Sequence, residues 1–80
     1  MSTRQDVETA FNGTVARTWD LDGMRTGGAA AIREATVAYA LGGTETVLAA
    51  VVAKYTSPSM AGPLTTDCIT AARPFREEGR

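Results

Sequence analysis

Eighty residues allow one small domain, 1–80, near the size at which a single hydrophobic core contributes only about 3 to 5 kcal/mol. Eight Lys and Arg against nine Asp and Glu, with a pI near 5.2, weigh against a phosphate-binding surface and so against a nucleic-acid partner. The chain has no histidine, which removes the commonest general base, the commonest metal ligand and the usual activator of a Ser or Cys nucleophile, and so points away from an enzyme, a metal or a cofactor.

Ser2-Thr3-Arg4-Gln5 has the spacing of a capping box, and Asp6 and Glu8 follow where the helix dipole favours acids, so a helix is expected from Thr3. Val7, Ala10, Phe11, Thr14, Val15 and Trp19 recur at three-and-four spacing and carry it towards Trp19. Asn12-Gly13 competes with that reading. It is the preferred loop of a two-residue hairpin, and Val15, Arg17, Trp19 and Leu21 alternate with polar residues as a strand would, so a short β-hairpin near the N-terminus is the alternative.

Asp20 to Gly28 (DLDGMRTGG) reads as a loop, with Thr26 placed to cap the helix after it. That helix, Gly28 to Leu41, carries two apolar stripes, Ile32, Ala35 and Tyr39 on one side and Ala30, Val37 and Leu41 on the other, as expected of a helix between two neighbours. Gly42-Gly43 ends it, and Thr44 with Glu45 starts the next, Thr44 to Tyr55. Its run of seven apolar residues, Val47 to Ala53, predicts burial, with Val47, Leu48, Val51, Val52 and Tyr55 forming one face. Residues 56–63 (TSPSMAGP), with two prolines and a glycine, read as a mobile linker. A last helix, Leu64 to Arg73, turns Leu64, Cys68, Ile69 and Ala72 inward and stops before Pro74, and 76–80 reads as a flexible tail. The expected fold is therefore mainly α, a small bundle of three to four helices.

The motifs that carry chemistry are thin. Asp20-Leu21-Asp22-Gly23 has the alternating oxygens and glycine of an EF-hand centre, but the register puts Thr18 at the first ligand position and Ala29 where a bidentate Glu is required, so a polar turn is the better reading. Thr26-Gly27-Gly28, beside Arg25, has the look of an anion-binding turn without the Gly-Lys-Ser/Thr of a phosphate loop. Cys68 lies on an apolar helix face and reads as a core residue. A helix-turn-helix would use Thr44 to Tyr55 as support and Leu64 to Arg73 as reader, with Arg73 and Arg76 near phosphates, but an eight-residue spacer is too long for that motif.

Fourteen of the 35 hydrophobic residues are Ala, which lets helices approach closely while burying little area each. Such a core calls for a second copy, and Val37, Leu41, Val47, Leu48, Val51 and Val52 are the expected self-association residues of a homo-oligomer. Trp and Arg concentrate at binding hot spots, which makes Arg17, Trp19, Met24 and Arg25 the candidate protein-binding patch, with Trp19 as a cap on one end of a thin core the alternative and the better reading of that residue. No cofactor is expected. Arg4, Asp6 and Glu8 leave no room for a signal-peptide apolar region, no apolar run is long enough to span a membrane, and a lone cysteine suits a reducing compartment, so the sequence suggests a cytoplasmic protein without a membrane partner. The functional expectation is a non-enzymatic small protein-binding module of a regulatory or inhibitory kind, such as accessory or phage-encoded proteins. The alternative is a dimeric helix-turn-helix-like DNA-binding regulator.

Overall fold

The computed structural model describes residues 2–24 and 26–77. Five α-helical segments follow one another: α1 (Thr3–Gly13), the single turn α2 (Val15–Thr18), α3 (Gly28–Ala40), α4 (Glu45–Tyr55) and α5 (Pro58–Ala72), with 3-10 turns at Leu21–Gly23 and Arg73–Phe75. The described residues contain no strand, so the N-terminal hairpin is not formed. The reason lies in the side chains. Val7, Phe11 and Val15 lie four apart and are all buried, while Thr9 and Gly13 between them are exposed; a strand, with its period of two, would bury those positions too, so the pattern is that of a helical path. At the break between α1 and α2, the Thr14 hydroxyl donates to the Ala10 carbonyl at 2.7 Å, so Asn12-Gly13 produces a small offset in a helix instead of a reversal. The expected cap is in place, with Ser2 Oγ accepting from the Gln5 amide at 3.1 Å.

Helix α3 begins differently from the expectation. Its N-cap is Gly27 at φ 80°, with no side-chain cap bond, so Thr26 does not close the helix. A left-handed residue at this corner turns the chain into the helix at a φ that a Thr would adopt only under strain. At the other end Gly42, at φ 108°, stops α3 as expected. Between them, Gly28, Ile32, Thr36, Val37, Tyr39 and Ala40 are buried, while Ala30 and Leu41 are exposed. The two expected stripes are thus replaced by one broad buried arc, because α3 packs against three helices, α1, α4 and α5.

Thr44 caps α4, its Oγ1 accepting from the Val47 amide at 3.2 Å. Only Leu48 and Val52 of this helix are fully buried; Val47, Ala49, Ala50 and Ala53 are exposed. The continuous apolar run therefore does not mark a buried helix. Alanine exposes so little apolar area that it can face water at small expense, so α4 sits at the edge of the bundle.

The expected linker is mostly helix. Ser57 is the N-cap of α5, Pro58 occupies its first turn and Pro63 lies inside it. Pro58 suits a first turn, where its missing N–H has no partner to lose, and Gly62 carries no Cβ to clash with the ring of Pro63. Pro58 thus costs the helix no bond, whereas Pro63, inside it, leaves the Ser59 carbonyl without its usual donor, the amide four residues on. Leu64, Cys68, Ile69 and Ala72 face the core as predicted, and α5 touches α1, α2, α3 and α4. Of the expected tail, Arg76 and Glu77 are held in place: the Glu77 amide donates to the Ala40 carbonyl at 2.7 Å, and its carboxylate accepts from the Thr3 hydroxyl at 2.7 Å. Residues 78–80 lie outside the described residues.

Candidate functional site

The residues expected to form one protein-binding patch are separated by the fold. Arg17 is exposed on α2, Met24 lines a cleft with Tyr55, Pro58 and Met60, and Arg25 lies outside the described residues. Trp19 leaves the helix in an extended conformation and is half-buried against the core, and its indole Nε1–H donates to Asp67 Oδ2 on α5 at 2.7 Å. A tryptophan held on both its apolar and its polar side fastens α2 to α5.

The self-association residues divide as well. Val37, Leu48 and Val52 are wholly buried inside this one chain, and they correct the expectation that they meet a second copy: α3, which carries Val37, packs against α1, α4 and α5, and α4, which carries the other two, against α3 and α5. Val51 is half-buried. Leu41 and Val47 are exposed, at 47% and 59%.

Next to the Trp19–Asp67 bond the helices diverge and leave an apolar cleft. Ala10, Thr14, Val15 and Thr18 form one wall; Asp67, Thr70, Ala71, Pro74 and Phe75 form the other. The volume is about 370 Å³, open on one side. The first wall is a stripe at four-and-five spacing along α1 and α2. The second repeats at three-and-four spacing along α5 and the 3-10 turn after it. Eight residues at 1.5 Å each make the cleft about 12 Å long, with Asp67 at one end and Phe75 at the other. Asp67 is its one ionisable residue.

The Phe75 end is fixed by Arg76. Its guanidinium donates to the carbonyls of Tyr39 and of Gly43, the latter at 2.8 Å, and stacks 4.4 Å from the centre of the Tyr39 ring. A cation at the C-terminus of α3 satisfies carbonyls that the helix leaves open. Nη1 of the guanidinium is thereby engaged by protein carbonyls, while Arg76 as a whole is half-buried and Arg73 is exposed. That α5 starts at Pro58 shortens the α4–α5 spacer to Thr56 and Ser57, nearer to helix-turn-helix geometry, yet α5 contains no Lys or Arg.

The remaining chemical candidates are structural in their surroundings. Asp20 Oδ1 accepts from the Gly23 amide at 3.2 Å, the polar turn expected of that motif, and the Asp22 side chain lies outside the described residues. No group of three or more metal-ligating side chains occurs among the described residues. The Cys68 thiol is pushed up to about 11, chiefly by burial, with a hydrogen bond to Thr36 opposing the rise and the neighbouring Asp67 charge adding to it. Arg4 grips Glu34 with two hydrogen bonds, 2.8 and 3.0 Å, and holds that exposed carboxyl below its usual range. No helix among the described residues is long and apolar enough to cross a membrane.

The sequence left Trp19 between a binding hot spot and a cap on one end of a thin core, and gave Asp67 no partner. Their bond spans 48 positions, and no local pattern announces it. Comparison with known protein families, curated proteins and solved structures finds no significant match to this chain.

Proposed function

We propose that this protein is a non-enzymatic binding module of a regulatory or inhibitory kind, and that it engages another protein through the cleft between α1–α2 and α5. The observation that carries the reading is the cleft itself: an apolar floor about 370 Å³ in volume, open on one side, with a single carboxylate at one end. Pockets for small ligands typically enclose most of their occupant, whereas a half-open groove between helices suits side chains projecting from a larger partner. The function expected from the sequence is kept, and its site moves from the Arg17–Met24 surface to the neighbouring groove.

The test places a photo-crosslinking residue at Thr18, on the exposed lip, and identifies the protein captured in extract of the native host. That protein is then purified and titrated against wild type and Thr70→Trp, which fills the groove from its exposed edge. At least a tenfold loss of affinity in the folded variant is expected. Equal binding by wild type and by Thr70→Trp with an unchanged melting temperature refutes the site.

A further inference from the structure

We infer that the partner presents to this cleft an amphipathic helix in which two apolar residues one turn apart are followed, a further turn on, by a Lys or Arg that pairs with Asp67. The inference rests on the protein-binding reading above and adds the chemistry of the partner.

The cleft is asymmetric along its length. At the Phe75 end its walls are Ala10, Ala71, Pro74 and Phe75, which offer no charge and little hydrogen bonding. At the other end stands the Asp67 carboxylate. One of its oxygens is occupied by the Trp19 indole N–H at 2.7 Å, which fixes the orientation of the group, and Oδ1 has no hydrogen-bond partner among the described residues. An acceptor held in one orientation at the edge of an apolar groove favours a cation attached to an apolar body, since the body displaces water from the floor while the head meets the carboxylate. The dimensions set the spacing. Apolar residues at i and i+3 or i+4 cover the Ala71–Phe75 part, and a cation at i+7 lies about 10 Å further along the helix axis, within the roughly 12 Å between the ends. Trp19 acts here as a positioning residue, because its hydrogen bond holds the carboxylate that would otherwise turn to solvent.

Selection of short helical peptides from a displayed random library against the full-length protein tests this. The expected winners carry Leu, Met or Phe at i and i+3 or i+4 with Lys or Arg at i+7. For a synthetic winner, affinity drops roughly five- to tenfold when the cation is changed to Gln or when Asp67 is changed to Asn, which retains an acceptor for Trp19. Affinity for wild type also falls as salt rises, a readout that needs no variant. Winners without a cation that bind Asp67→Asn as tightly as wild type, yet are blocked by Thr70→Trp, overturn this inference and leave the cleft as the binding site. Winners indifferent to Thr70→Trp, or no winners, overturn both. Displacement of the peptide by phenethylamine at equal concentration makes this a small-amine site and overturns the assignment of a protein partner.

Discussion

Removing the Arg76 side chain should loosen the whole C-terminal end of the bundle. The guanidinium bonds the carbonyls of Tyr39 and Gly43 and lies 4.4 Å from the Tyr39 ring centre, so Arg76→Ala deletes two hydrogen bonds from a charged donor and one cation–π contact together. The residue is half-buried, so each hydrogen bond is taken at about 1 kcal/mol net and the ring contact at about 0.5 to 1, which sums to roughly 2 to 3 kcal/mol. For a domain of this size, each kcal/mol moves the melting temperature by about 4 to 8 °C, so a drop on the order of 10 to 20 °C is expected. Circular dichroism at 222 nm during a thermal ramp measures it, with Arg76→Lys as a second variant. Both bonds leave from the single nitrogen Nη1, so lysine, with its charge and three donors on one nitrogen, keeps part of them but loses the planar group over the Tyr39 ring, and it should lose about half as much. An Arg76→Ala protein melting within about 2 °C of wild type refutes the argument, and a lysine variant equal to wild type refutes the contribution of the planar guanidinium.

Leu48→Ala should destabilise the fold by about 2 to 5 kcal/mol, because the side chain is wholly buried, while Val47→Ala next to it should change stability by less than about 0.5 kcal/mol. Urea melts at two protein concentrations check this: a Leu48→Ala loss that depends on concentration would mean that Leu48 faces a second copy after all. Cys68 should resist iodoacetamide in the native protein at about pH 8 and react readily in urea, and fast native alkylation would contradict its burial. Because folding raises its thiol from the ordinary value of 9.0 to about 11, the native state holds the proton longer than the unfolded chain. Its contribution is therefore complete below pH 9 and is lost as pH rises from 9 towards 11. Stability should fall across that interval by more in wild type than in Cys68→Ala, and equal slopes refute the assignment.

Much of the helical pattern is local and was readable. Ser2 and Thr44 cap as their positions suggest, Gly42 ends α3, and Leu64, Cys68, Ile69 and Ala72 repeat at the spacing that buries them. The misreadings came where a local signal carries two meanings. Asn12-Gly13 specifies a hairpin only if strands flank it, and Val7, Phe11 and Val15 made helices of both flanks. Pro58 is tolerated because it opens the helix, and Pro63 lies inside it, so where the helix starts was what the sequence left open. The apolar run of α4 gave its hydrophobicity but not its depth, since Ala is nearly indifferent to exposure.

The sequence by itself determined that this chain is helical, because caps, glycines and three-and-four periodicity act over a single turn and need no distant partner. It also determined that histidine-based chemistry is absent. Only the tertiary structure decided which apolar residues are interior, since Val37, Leu48 and Val52 are covered by other helices of the chain while Leu41 and Val47 are not. The cleft was decided there too. It lies between α1–α2 and α5, beside a bond between Trp19 and Asp67, and the separation of two helices is set by the packing of the whole core, a property no stretch of one helix contains.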